Sequence, residues 1–372
     1  MPTTNLKNRR DFKGENFYIG LDIHKSTWSV TVRTSNLEVA HFSQSPSPQA
    51  LNSYLKKRFP SGCFHSAYEA GFGGTSTHSQ LRSLGIDNII VHAADIPNTD
   101  KEKKNKTDLH DSRAIAKYLE KGLLRPIHVL TNEQQELRSL YRLREMEVGN
   151  QTRSVNRLKG FIYFMGINIP EAFPDKKGIT TRKLVWLKTL QLTTAAGTTC
   201  LRQYIQDYQD QRSKVNLVTR QLRTYVMETF ADAYQNLMTI PGVGSTTAIA
   251  LISEIGDFNR FDSPKEYCSY LGMLPWEHSS GNTVRTQGVQ PRCNRHLRPM
   301  LVEASWIAIR KDSELLLYYK KHAASNNKHA IMKVARKLAL IARGVVLKNQ
   351  PYDTEYLLKQ KIKVKDTPLD EH

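Results

Sequence analysis

The sequence predicts an α/β domain at the N-terminus, a long-helix segment in the middle and a mainly α-helical domain at the C-terminus. Three observations predict it. Apolar and polar residues alternate with a period of two from residue 17. Glycine and proline thin out between residues 131 and 235, where apolar residues fall at heptad-like spacing. From 236 onward, glycine-containing turns separate apolar and then basic helical runs.

In "FYIGLDIH", Phe17, Ile19, Leu21 and Ile23 alternate with Tyr18, Gly20, Asp22 and His24, which is the pattern of a strand. "TWSVTVR" and "LEVAHF" read as two further strands after short polar turns. "SPQALNSYLKKRF" has Leu51, Tyr54 and Leu55 at helical spacing behind a Ser-Pro start. "CFHSAYEAG" is a short strand, "THSQLRSLG" a helix closed by Gly85, and "IDNIIVHA" a strand. A helix from Asp108 completes a β-β-β-α-β-α-β-α order.

The middle segment predicts two long helices. The first carries Leu137, Tyr141, Val148, Val155, Leu158, Ile162 and Met165, with Arg144 and Gln151 interrupting the seam. The second, from about 199 to 230, carries Leu201, Ile205, Tyr208, Val215, Leu222 and Val226. "PDKKG" and "TTAAGTT" between them read as turns. Folded back on each other, these helices suit either a dimerising coiled coil or a monomeric bundle. The domain reading is a basic arm over 1–15, an α/β domain over 16–130, a helical coiled-coil segment over 131–235, a C-terminal domain over 236–348 and a tail over 349–372.

Charge points to the partner. Lys and Arg number 54 against 35 Asp and Glu, a net charge of +19 in 372 residues. Such an excess favours a polyanion, most commonly nucleic acid, with an anionic membrane surface as the rival. No apolar run approaches the roughly 20 residues of a membrane helix, and the start has no signal-peptide core. Cys63, Cys200, Cys268 and Cys293 are scattered with no CxxC pair, so neither a zinc ribbon nor a disulfide scaffold is indicated. The expectation is a soluble intracellular protein.

Four carboxylates stand out. Asp22 sits on the first strand, Glu69 closes the fourth, and Asp108 and Asp111 lie three apart on one helical face. Each has an ordinary explanation: strand-end charges for the first two, and acid favoured by the helix dipole for the pair. Their order argues otherwise. In this topology the first and fourth strands lie side by side, and the closing helix lays its aspartates over the same point. Four such acids repel unless cations neutralise them, and hard oxygen ligands suit Mg²⁺ or Mn²⁺. Two such ions can clamp a phosphoryl transfer. "KEKKNK", just before Asp108, reads either as a backbone-holding patch or as a solvated loop.

"YIGLDIHK", "YEAG" and "NKTDLHDSRAIA" resemble the Asp-Glu-Asp-Asp blocks of the insertion-sequence transposases of family one-ten, with its eleven-eleven subgroup. The resemblance spans residues 17 to 345. It implies an RNase H/RuvC-like fold and catalytic, Mg²⁺-binding roles for Asp22, Glu69, Asp108 and Asp111. It also implies donor and target DNA as substrates, a non-coding guide (bridge) RNA and a homo-oligomer, dimer or tetramer.

In the C-terminal unit, "IPGVGSTTAIALISEIGDFNRF" is helix-hairpin-helix-like. Gly242 and Gly244 allow a tight turn whose amides can face a phosphate at a helix start; a plain helix–turn–helix connection is the other reading. "PWEHSSGNTVR" reads on composition as a loop. The resemblance implies a nucleophilic serine before a glycine in this block, which falls on Ser280, with Ser279 as the register rival. Arg285, Arg292 and Arg295 then neutralise the scissile phosphate or bind backbone phosphates. No base stands beside Ser280 in sequence, so activation would come from the metals of the acidic cluster. Two alternatives use the same residues differently: a Mg²⁺-dependent, junction-resolvase-like nuclease with water as nucleophile, and a non-catalytic nucleic-acid-binding protein.

Overall fold

The structure is a computed structural model that describes residues 11–71, 73–96, 108–173, 178–280, 283–289, 293–324 and 326–353; residues 108–110, 275–280 and 283–289 are described by backbone alone. The chain divides into two compact units, Met1–Val129 and Leu130–His372.

The first unit is a five-stranded mixed sheet with helices. β1 (Asn16–Ile23), β2 (Trp28–Thr34) and β3 (Leu37–Gln44) form an antiparallel meander. α1 (Pro48–Arg58), β4 (Cys63–Glu69), α2 (Ser76–Ser83), β5 (Asp87–Val91) and α3 (Asp108–Glu120) follow. The strand order is β3-β2-β1-β4-β5, with β4 parallel to both β1 and β5. The β-β-β-α-β-α-β-α order is the one the periodicity predicts.

The alternation along β1 separates two cores. Phe17, Ile19 and Leu21 face Leu51 and Leu55 of α1 and Leu81 of α2, all buried. Burial of each such side chain contributes about 1.5–3 kcal/mol. On the opposite face Ala67 and Val91 pack under Ile115 of α3. Phe12, in the stretch read as an arm, is buried edge-on to Phe17 and Phe59, at 5.5 and 5.6 Å between centroids. Residues 1–10 of that arm, and 354–372 of the tail, lie outside the described residues.

The second unit begins with α4 (Asn132–Phe164), started by a reciprocal capping box. Thr131 Oγ1 accepts the Gln134 N–H, and Gln134 Oε1 accepts the Thr131 N–H. α6 (Ala195–Thr229) returns alongside it: Tyr225 donates to Glu133, Arg144 to Thr219, and Arg157 pairs with Asp207. This pairing is antiparallel and lies within one chain. α5 (Thr181–Thr189) packs at its far end on Leu158, Ile162, Leu201 and Ile205.

"TTAAGTT" is not a turn beyond its first residues. Thr194 accepts the Gly197 N–H as N-cap, and α6 runs from Ala195. A capping threonine and two alanines outweigh one glycine near a helix start.

The near ends of α4 and α6 share a core with α7 (Ala231–Met238), α8 (Ser245–Ile255), α9 (Pro264–Tyr270), α10 (Leu297–Lys311), α11 (Ser313–Ala323) and α12 (Asn327–Lys348). Leu137, Tyr141, Leu222 and Val226 meet Leu251, Leu301 and Leu338 there. Between α9 and α10 stands an antiparallel hairpin, β6 (Pro275–Ser280) and β7 (Thr283–Val289). The loop expected at "PWEHSSGNTVR" is therefore a pair of strands. Its polar residues suit a two-faced hairpin. Among the described residues, no helix is long and apolar enough to cross a membrane.

Candidate active site

Asp22 and Glu69 stand at one end of the sheet, the end that the first turn of α3 reaches. β1 and β4 pair in parallel up to Leu21 opposite Tyr68. Asp22 and Glu69 come next on each strand, so they end neighbouring strands side by side. Asp22 is also registered with Ser29 of β2. Its carboxylate is largely covered, at 17% exposure, whereas Glu69 is exposed.

Gly20 explains how α3 reaches this end. It lies on the same face as Asp22, and a Cβ there would stand 2.0 Å from the Ser112 carbonyl oxygen and 2.5 Å from the Ala116 nitrogen. Only glycine admits a helix backbone so close. Buried Ser112 Oγ lies 3.1 Å from Ser29 Oγ and 3.0 Å from Thr31 Oγ1. Ser29 and Thr31 are the β2 partners of Asp22 and Gly20. At the other end of α3, Glu120 accepts from Arg33, the partner of Tyr18. α3 therefore runs antiparallel to β1, and its first turn lies at the Asp22 end.

The helical and strand rises match along this contact. Four helix residues and two strand residues each cover about 6–7 Å. Asp108 precedes Ser112 by one turn as Asp22 follows Gly20 by one step of the pleat. Asp111 is half-buried beside Ser112. Asp108 is described by backbone alone, and "KEKKNK" lies outside the described residues. Among the described residues, no group of three or more His, Cys, Asp or Glu could hold a metal ion. The donor chemistry still suits a hard divalent cation: carboxylates from three elements at one sheet end.

His24 was not assigned a role from sequence. Its Nε2 lies 3.2 Å from Asp22 Oδ2, just past the end of β1, and the D-x-H spacing is the signal for it.

In the second unit the predicted glycines separate. Gly242 has φ +85°, and a Cβ on it would stand 2.2 Å from the Ala304 carbonyl oxygen of α10. Packing against a helix backbone therefore accounts for this glycine. Gly244 N-caps α8 and has nothing within 4 Å of its Cβ position. The register sets Ser280 opposite Thr283, Ser279 opposite Val284 and His278 opposite Arg285. Arg295 is exposed in the turn before α10. Arg292 lies outside the described residues.

Sequence reasoning missed the group at the hairpin root. Glu254 of α8 is fully buried. Arg142 donates to it twice, Nε at 2.7 Å and a terminal nitrogen at 2.9 Å, and Asn294 Nδ2 donates at 2.8 Å. Burial pushes the Glu254 carboxyl up, but these hydrogen bonds and the Arg142 and Arg138 charges hold it below its ordinary value. Nearby, Glu145 accepts from Tyr141 at 2.8 Å and pairs with His296. The signal was one acid inside the apolar run "AIALISEI".

Comparison with known proteins agrees with both units. Residues 19–165 match the family DEDD_Tnp_IS110, described as Transposase, and residues 234–320 match the family described as Transposase IS116/IS110/IS902. The y4qE protein of Sinorhizobium fredii is 26% identical over 293 residues, covering 78% of this chain and 71% of its own. The transposase for insertion sequence element IS1111A of Coxiella burnetii is 26% identical over 225 residues, 56% of each chain. The pilin gene-inverting protein of Moraxella bovis is 31% identical over 121 residues, 32% of this chain and 38% of its own. With one match on the sheet that carries Asp22 and Glu69 and another on the C-terminal helices, the chain is an insertion-sequence transposase of the IS110/IS116 family.

Proposed function

We propose that this transposase is an RNA-guided recombinase with an RNase H/RuvC-like first domain, cutting and rejoining DNA through a phosphoserine link at Ser280. The observation that carries the catalytic reading is the juxtaposition of Asp22 and Glu69 with the first turn of α3. Asp22, Glu69, Asp108 and Asp111 would hold divalent metal, with Mg²⁺ first and Mn²⁺ as its substitute. When bound, such ions polarise the phosphate and neutralise charge that builds on its oxygens.

The step balances without an external energy source. Ser280 Oγ attacks phosphorus and loses its proton, one P–O bond forms, and the bond to the leaving sugar oxygen breaks as that oxygen takes up a proton and becomes a hydroxyl. A DNA hydroxyl then attacks the phosphoserine, and Ser280 regains its proton. Arg285, Arg292 and Arg295 serve the phosphates. Strand rejoining is favoured over hydrolysis by the likeness to a protein whose name records gene inversion. Donor and target DNA are the substrates, in a dimer or tetramer, because recombination joins four strands. Guide RNA accounts for a +19 chain without a base-reading motif.

Incubation with Mg²⁺, DNA carrying the joined element ends and the element's RNA should give a covalent protein–DNA adduct. Loss of that adduct in Ser280→Ala supports the reading, and its persistence refutes it. Equal sequence-specific recombination by RNA-free protein refutes the guide.

A further inference from the structure

The hairpin that carries Ser280 is held at its root by one buried polar group. The chain enters β6 from Tyr270–Leu274 and leaves β7 toward Cys293 and Asn294. These two legs lock together. The Asn294 N–H donates to the Tyr270 carbonyl at 2.8 Å. Gly272, at φ +67°, lies so close to Cys293 that a Cβ would stand 2.6 Å from its Cβ. Tyr270 and Asn294 then reach the same acid. The Tyr270 hydroxyl donates to the Glu254 carbonyl at 2.8 Å and accepts from Asn294 Nδ2 at 2.9 Å. Asn294 Nδ2 also donates to the Glu254 carboxylate at 2.8 Å, which Arg142 of α4 holds from the other side.

Asn294 is fixed at both ends of its side chain. Its oxygen accepts the N–H groups of His296 and Leu297, at 3.0 and 3.1 Å, and so starts α10. Its amide nitrogen faces Glu254 and Tyr270. A simple helix cap needs only the oxygen. Buried polar networks of this kind fix one arrangement of the elements they join.

We propose that Asn294 and Glu254 are positioning residues for strand cleavage: they fix the root of the β6–β7 hairpin and thereby the reach of Ser280. The proposal rests on the Ser280 reading above. Neither residue touches the reacting atoms in this account. A misplacement of about 1 Å at a reacting group can cost about a hundredfold in rate.

The test exchanges donor and acceptor. Asn294→Asp keeps an oxygen for the α10 cap but turns a carboxylate toward Glu254. Glu254→Gln added to it makes amide and carboxylate change places, leaving one carboxylate in the network. Full-length protein with its RNA, Mg²⁺ and joined-end DNA is used, at a temperature where circular dichroism shows every variant folded. The readouts are the adduct rate at saturating DNA and the DNA affinity. Asn294→Asp is expected to slow the adduct about a hundredfold with affinity within about twofold, and the double variant to recover to within about tenfold of wild type.

An unchanged rate in Asn294→Asp overturns the proposal. So does a slow rate that the exchange leaves uncorrected, or a loss of rate that merely follows a loss of affinity. If Asn294→Asp does not fold, Tyr270→Phe removes only the shared hydroxyl and is expected to slow the adduct about tenfold with affinity retained; an unchanged rate there overturns it equally. Ser280→Ala runs beside these variants. An adduct in Ser280→Ala sinks the nucleophile reading, whereas its absence together with a normal Asn294→Asp rate sinks only the positioning role.

Discussion

Gly20 of β1 lies directly beneath Ser112 of α3, with no room for a side chain between the strand and the helix backbone. This contact sets where the first turn of α3 stands relative to Asp22. A Gly20→Ala chain must push α3 away from the sheet. We expect a stability loss of about 1–3 kcal/mol by denaturant unfolding, the cost of overpacking a well-packed site. Activity should fall further than stability alone accounts for, because the aspartates move with the helix.

The carboxylates themselves should behave differently. Asp22→Asn and Asp111→Asn keep the side-chain shape at the end of the sheet. Folding should stay within about 0.5 kcal/mol, because neither residue is fully buried. Adduct formation should fall about a thousandfold, the loss expected when several kcal/mol of metal-borne charge stabilisation disappear. Calorimetric Mg²⁺ titration of the same variants checks the cause. A variant that keeps both metal binding and activity removes its residue from the site.

The two glycines of the C-terminal turn should separate cleanly. Gly242→Ala places a methyl group on the α10 backbone at a positive φ, so melting should show a loss of about 2–4 kcal/mol. Gly244→Ala meets open space and loses only part of an N-cap, about 0.5–1 kcal/mol. If Gly244→Ala weakens DNA binding by more than its stability loss explains, the α8 start contacts DNA. An unchanged affinity removes it from the interface.

Buried Glu254 makes stability acid-sensitive. Its pKa is below the ordinary 4.5 in the folded chain, so between those two values the unfolded chain binds more protons. The contribution is present above about pH 4.5 and fades as pH falls through the lowered folded value. Acid unfolding of wild type and Glu254→Gln, followed by circular dichroism, should converge as pH drops below 4.5. At neutral pH, Glu254→Gln should cost about 3–5 kcal/mol, because Arg142 and Arg138 lose their acid. A constant difference between the two across that range would show that Glu254 is not the titrating group.

Much of the first unit was legible because its signals are local. Phe17, Ile19 and Leu21 announce a strand by themselves, and Asp108 and Asp111 announce one helical face. The closeness of α3 was not legible, since Gly20 is one small residue in a strand until a helix crosses it. Phe12 looked like part of a basic arm because a single phenylalanine among polar neighbours has no period. The β6–β7 hairpin was hidden by composition: Ser279, Ser280 and Gly281 look like loop residues, and only the cross-strand register reveals strands. Glu254 and Asn294 stand 40 residues apart, and no local pattern links them. The carboxylates came from their order along the chain and Ser280 from motif resemblance, while the network at the hairpin root came from the structure alone.

The central claim is that Ser280 becomes covalently joined to DNA. Successive strand residues alternate between faces, so Ser279 and Ser280 belong to opposite faces of the hairpin and are not interchangeable. The direct measurement is mass spectrometry of the DNA-linked peptide after the reaction is trapped with Mg²⁺ and joined-end DNA. A nucleotide adduct on Ser280, absent from Asp22→Asn, is the predicted result. An adduct on Ser279 or any other residue, or free DNA ends with no protein link, would contradict it.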